Sequence, residues 1–166
     1  MDLNRIREEY LLFRAGFKTL LMTTISRQGV PDSSYAECLR YQDDYYVFAS
    51  AHEPLGQNLI DSGKVSLLFI EAGNRDVGNS TGKRIILKSI ANRIASNSSD
   101  FDKIVQLFHR RGDDVSPMLD ATAEFLLFRL TPVTGSYVHG HAQAYLLEGR
   151  DLSRVTRLGC CHAVLQ

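Results

Sequence analysis

The sequence predicts a mainly β fold with flanking helices, and three observations carry that expectation. Residues 17–71 hold four apolar, β-branched or aromatic runs separated by short turn signals, with a brief helical stretch before the last. Three more strand-like runs follow residue 83. Helical spacing of apolar residues over longer windows is confined to two segments, one at the N-terminus and one near the middle.

Taken in order, Leu3, Ile6, Tyr10 and Phe13 recur at helical spacing, with Arg5, Arg7, Glu8 and Glu9 on the other face. That predicts an amphipathic helix ending near Gly16. Phe17 to Ile25 reads as a buried strand, and Gly29 and Pro31 turn the chain into a second run ending near Tyr41. Asp43-Asp44 makes the next turn and Tyr45 to Ala49 is a third strand. Turns this short predict an antiparallel meander. Leu55, Leu59 and Ile60 mark a short helix from Pro54 to Ser62, stopped by Gly63, and Lys64 to Glu71 is a fourth strand.

The polar stretch Gly73 to Lys83 (GNRDVGNSTGK) invites comparison with a phosphate-binding loop. The comparison fails, because Val77 stands where the first glycine is needed and Arg84 where Ser or Thr is needed. A surface loop is the expectation. Arg84 to Ser96 is a long fifth strand. Ser98 or Ser99 caps a helix whose apolar stripe is Phe101, Ile104, Val105 and Phe108. Gly112 breaks this helix, and Pro117 starts another that runs to about Glu124. Phe125 to Leu130 is a sixth strand ended by Thr131-Pro132, and Tyr137 to Leu147, with HGHAQAY inside it, is a seventh. Without repeats or a linker, one domain over 1–166 is expected, with an N-terminal helix (1–16), a β core with inserted helices (17–149) and a tail (150–166).

Composition excludes several function classes. The formal net charge is zero and the pI about 7, so no bulk field draws nucleic acid or an acidic membrane. The N-terminal MDLNRIREEY is too charged for a secretory signal, and no apolar run reaches the roughly 20 residues a span needs. Three cysteines, Cys38, Cys160 and Cys161, give no disulfide framework and fit a reducing cytoplasm. No serine sits in a G-x-S-x-G elbow. Cys160, Cys161 and His162 are consecutive, so their side chains diverge from any single tetrahedral ion. His139 and His141, read as two apart on a strand, face one side but make too few ligands for a metal.

The β-β-β-α-β order of residues 17–71 resembles the split barrel of the pyridoxamine-phosphate-oxidase-like (FMN-binding) superfamily. That resemblance implies a two-fold homodimer that buries apolar strand faces, and a cofactor drawn from FMN, F420 or haem. The FMN users grip the phosphate with cations in an R-x-x-x-x-K pattern and a Ser-Arg-Lys step. This chain places Ser34, Leu39 and Glu53-Pro54-Leu55 at those positions. Losing those partners forfeits charge-assisted hydrogen bonds worth about 1.5–3 kcal/mol each, which makes FMN the alternative cofactor.

Four stretches carry a closer resemblance. They are the 17–71 core with its Ser50 to Asn58-Leu59 step, Lys83-Arg84, Glu124-Phe125-Leu126-Leu127-Phe128-Arg129-Leu130, and Gly140 to Tyr145 followed by Gly149 to Leu152. Together they resemble the HugZ/HutZ-type haem-utilisation proteins over nearly the whole chain. The resemblance implies a haem-degrading protein, or else a haem carrier, using an electron donor the sequence does not identify. It places the iron ligand on His162 in the tail and a supporting carboxylate on Glu124 of the other subunit. Such a carboxylate fixes the imidazole tautomer and strengthens its bond to iron. Arg84 would offer its guanidinium to a propionate or to the oxygen side of the iron. His141, with His139 and the tail cysteines, stands as an alternative contact. A second histidine that these proteins can carry is Leu55 here.

Overall fold

Asp2 caps the first helix, α1 (Leu3–Ala15), accepting a 3.0 Å hydrogen bond from the Asn4 N–H, and Gly16 ends it. The computed structural model describes residues 2–71, 82–120, 124–139 and 143–158. After α1 come β1 (Thr19–Ile25), β2 (Pro31–Glu37), β3 (Leu39–Tyr41), β4 (Asp44–Ser50), α2 (Pro54–Asp61) and β5 (Lys64–Ile70). They are followed by β6 (Arg84–Ile94), α3 (Ser99–Arg111), α4 (Ser116–Asp120), β7 (Phe125–Val138), β8 (Ala144–Glu148) and β9 (Arg154–Leu158).

All these strands pair antiparallel in the order β2-β1-β5-β6-β7-β4-β3, with β8 added to β7 and β9 to β8. The first and last strands of that order, β2 and β3, are joined through Cys38 alone, whose N–H bonds the Lys18 carbonyl at 2.7 Å. So short a connection brings the two edges together, and the sheet rolls into a barrel. Its interior holds Met22, Tyr45, Leu67, Phe69, Ile85, Phe128, Tyr137 and Tyr145, with Ile6 and Tyr10 of α1 closing over them. A second cluster lies outside the barrel, where Phe101, Ile104 and Phe108 of α3 cover Leu39, Tyr46 and Leu127. Helix α3 has the expected ends, since Ser98 Oγ accepts from Phe101 N–H at 3.2 Å and Gly112 turns left-handed at φ 91°.

The three runs pair antiparallel in succession, as expected, but the second is not one continuous strand. The second run breaks at Cys38, so β2 pairs with β1 while β3 pairs with β4, and β4 continues to β7. Strand β7 does not stop at Thr131-Pro132 either. It changes partner there, pairing with β4 through Leu130 and with β8 from Gly135, while β6 runs along its other side. A bulge falls at this point, with Lys88 opposite Thr134 and Ser89 opposite Pro132. A proline fits where one side of the strand has no ladder partner. The expected seventh strand is divided between the end of β7, at Val138, and β8, from Ala144, and the tail contributes β9.

The step from Ser50 to Asn58-Leu59 docks α2 onto the barrel. Asn58 is 5% exposed and donates to Thr24 Oγ1 at 3.0 Å, and Leu59 is core. Gly56 lies so close that a Cβ there would stand 1.9 Å from the Ser50 carbonyl oxygen.

Candidate functional site

Four neighbouring strands end together on one side of the barrel. Arg84 opens β6 opposite Val138 of β7, Val138 faces Ala144 of β8, and Ala144 faces Leu158 of β9. Directly paired residues share a face. Here that face is the outer one, because the next residues along, Ile85, Tyr137 and Tyr145, point into the core. Arg84 is exposed, and Ile70 beside it in the ladder is 48% exposed. A cation with no ion pair among the described residues therefore edges an apolar surface, the pairing that an amphiphilic acid requires.

Beside Arg84, Lys83 points to α1 and forms an ion pair with Glu9. The same Glu9 oxygen lies 3.1 Å from His139 Nε2 and accepts from Tyr137 OH at 3.3 Å. His139 Nδ1 lies 3.3 Å from Gln143 Oε1, and its N–H donates to the Gln143 carbonyl at 2.9 Å. Burial pushes the Glu9 carboxyl up, but Lys83, His139 and Tyr137 outweigh it and hold the group below its ordinary range. Burial and the neighbouring Glu9 carboxylate push the Tyr137 phenol well up. This knot ties the helix to the strand ends that carry Arg84. Sequence reading missed Glu9, Tyr137 and Gln143 as partners because no spacing rule links positions so far apart.

The knot predicts acid sensitivity. A carboxylate whose folded pKa is depressed stabilises the fold above its unfolded value, near 4.5, and loses that contribution as pH falls through the folded value. Urea midpoints taken between pH 7 and 3 should fall for the wild type. In Glu9→Gln the acid limb should be flatter and the neutral midpoint lower; an identical pH profile in both would refute the role of Glu9.

Glu124 lies elsewhere. It is exposed just before β7, its carbonyl accepts from Ala51 N–H at 2.6 Å, and its carboxylate makes no ion pair among the described residues. The 14 residues of β7 separate it from the Arg84 end, about 45 Å of strand path at ~3.3 Å per residue. One chain does not bring Glu124 and Arg84 together. The exposed His52 stands next to Ala51, a histidine near Glu124 that sequence reading passed over. His162, His141, Cys160 and Cys161 lie outside the described residues, as does most of the stretch Gly73 to Lys83 expected to be a surface loop. Cys38 is fully buried, and burial raises its thiol to about 12, which leaves it inert.

The positions that would grip an FMN phosphate are occupied otherwise. Leu39 and Leu55 are core residues, and Ser34 donates to Asp32 Oδ2 at 3.4 Å. FMN should therefore bind no tighter than micromolar. Stoichiometric FMN in the purified protein, read from its yellow absorbance, would refute this, with Lys83 and Arg84 as the first suspects for the anchor.

No family model matches the chain. The heme oxygenase HutZ of Vibrio cholerae is 30% identical over 148 residues, 89% of this chain and 84% of that protein. The chain belongs to the HutZ-type family. A solved structure of Vibrio cholerae HutZ, described as a heme storage protein, shares 29% identity and a TM-score of 0.62 over 75% of this chain and 88% of that one. Campylobacter jejuni ChuZ superposes with a TM-score of 0.82 at 22% identity, covering 99% of this chain and 68% of its own. A pyridoxamine 5'-phosphate oxidase-related, FMN-binding protein of Nostoc punctiforme gives 0.62 at 11% identity over 93% of this chain and 94% of its own. The HutZ-type chain thus has the split barrel of pyridoxamine-phosphate-oxidase-like proteins, as expected from residues 17–71.

Proposed function

We propose that this HutZ-type protein binds haem and opens the porphyrin oxidatively, releasing the iron. The observation that carries the reading is the 30% identity to a heme oxygenase across 89% of the chain. The described residues fit the group, since exposed Arg84 suits a propionate and the apolar outer face beside it suits the macrocycle. His162 is the proposed iron ligand. It follows Leu158 by four residues, so the covalent chain holds it within about 14 Å of the row that includes Arg84. His141 falls in sequence between the paired Val138 and Ala144 and is the alternative contact. Bound haem would supply the redox chemistry, with O2 and an external electron donor as co-substrates. Glu124 of a second copy would accept the remaining imidazole N–H of His162, holding the nitrogen that faces iron deprotonated.

A second copy is part of the proposal. Helix α3 covers one outer half of the barrel, while the other half exposes Tyr35, Leu21, Ile86, Ile90 and Val133. Tyr35, Leu21, Leu68 and Ile86 form one row across β2, β1, β5 and β6, and a groove of about 520 Å3 runs beside it past Ile25, Ile90 and Val133. A face of this kind is buried in a two-fold contact. Sedimentation at micromolar concentration should give a homodimer, and Ile86→Lys should weaken it at least about 100-fold by placing an ammonium in the apolar contact. A stable wild-type species of 18.6 kDa would refute the dimer.

No helix among the described residues is long and apolar enough to cross a membrane. The proposed location is the cytoplasm, in keeping with the free thiol of Cys38. Titrating the purified protein with hemin, FMN and F420 in parallel tests the reading. A Soret band saturating at one hemin per chain supports it, and stoichiometric binding of a flavin instead overturns it. Adding a reductant under O2 then separates the two haem roles: loss of the Soret band with iron release marks degradation, and a persistent band marks a carrier.

A further inference from the structure

The last turn of α1 brings Arg14 against the barrel, where its side chain is 1% exposed. Its Nη1 donates to Tyr10 OH at 2.8 Å, and its Nη2 reaches Oδ1 of the half-exposed Asp43 at 3.4 Å. Its Nε is buried without an acceptor. Arg40 of β3 stands directly opposite Tyr45 of β4, so the two side chains share a face. Tyr45 is fully buried, which makes that face the interior. Arg40 Nε and Tyr45 OH are likewise buried with no hydrogen-bond partner, and Arg40 makes no ion pair among the described residues. Asp43 lies in the turn between β3 and β4, so its contact with Arg14 sets that guanidinium beside the hairpin that carries the Arg40–Tyr45 pair.

Arg14 alone reaches the half-exposed Asp43 carboxylate, and three buried donors, Arg14 Nε, Arg40 Nε and Tyr45 OH, are left without acceptors. A trapped water can satisfy a donor but does not neutralise a charge. A group that only accepts hydrogen bonds and carries negative charge does both. We propose that Arg14, Arg40 and Tyr45 form an oxyanion site at the α1-capped end of the barrel, taking a carboxylate or phosphate group. The half-buried Arg40 and the exposed turn at Asp43 form its open side. Asp43 acts as the internal occupant of part of the site. The proposal is independent of haem binding.

Calorimetric titration of the purified protein with sodium phosphate and sodium acetate, each against sodium chloride at matched ionic strength, tests this. Saturable binding of either oxyanion is expected, and the arm that binds tighter identifies phosphate or carboxylate as the source. Arg40→Gln should weaken it about tenfold or more, through loss of a charge-assisted contact. Tyr45→Phe keeps the ring volume and should weaken it several-fold, so it carries the test if Arg40→Gln fails to fold. Asp43→Asn should strengthen binding by removing the competing carboxylate. Heat that follows ionic strength alone, or affinity unchanged in Tyr45→Phe, would mean an adventitious ion only and overturn the site. Weaker binding in Asp43→Asn would overturn it as well.

Discussion

His162→Ala is expected to abolish the Soret spectrum of the parent hemin complex. Iron held by an imidazole has a spectrum set by that ligand, and removing it leaves the metal to water or to a weaker neighbour. His139 is a poor substitute, because Glu9 and Gln143 already engage both of its ring nitrogens. Glu124→Ala should keep the haem but weaken the iron–imidazole bond, lowering affinity or turnover by about 10–100-fold. That second effect has a signature a local role would lack. Glu124 and Arg84 lie at opposite ends of β7, so Glu124 acts on a site beside Arg84 only across a dimer. Mixing Glu124→Ala with His162→Ala subunits should therefore leave half the sites of the mixed dimer with both groups intact. An unchanged spectrum and affinity in His162→Ala would move the ligand to His141 or the tail cysteines. An unchanged spectrum in each of those variants as well would reduce the haem to nonspecific adsorption and remove the proposed function.

The sequence carried those features of the fold that are written locally. Leu3, Ile6 and Tyr10 marked one helix, and Ser98 with Gly112 marked both ends of another, because a cap or a stripe needs only its own neighbours. Pairing across the barrel is not local. Cys38 looks like any strand residue, yet it is where the chain leaves one sheet edge for the other. Pro132 has the mark of a terminator, and only the gap between β4 and β8 lets the strand continue through it. Arg14 shows the same limit for charge. Its place in the sequence suits a solvated helix end, whereas the fold buries it against Tyr10. For the candidate site, the resemblance pointed to Arg84 and Glu124, but the knot of Glu9, Lys83, Tyr137 and His139 needed coordinates. His162 and His141 are legible in the sequence alone, since neither lies among the described residues.

Gly56→Ala should be among the most damaging single-methyl changes in the chain. The added Cβ would meet the Ser50 carbonyl oxygen at 1.9 Å and the Ser50 carbonyl carbon at 2.7 Å, both backbone atoms that no rotamer change can move. Helix α2 must shift away, yet it is pinned by Leu59 in the core and by the buried Asn58 bond to Thr24. Overpacking of this kind costs about 1–3 kcal/mol or more, and the upper end applies where both sides are backbone. For a 166-residue chain that corresponds to a fall in Tm of roughly 10 °C. The consequence would extend to function, because the next residue, Ala51, holds the Glu124 carbonyl at 2.6 Å. Displacing Ser50 and Ala51 moves the start of β7 and with it the Glu124 carboxylate. A hemin complex of Gly56→Ala should therefore show the weakened iron–imidazole bond of Glu124→Ala while retaining the His162 spectrum type. Gln57→Ala, one position along on the exposed side of the same helix, should do neither. Wild-type thermal stability in Gly56→Ala would show that α2 can slide on β4, and would remove the link drawn between that contact and the carboxylate.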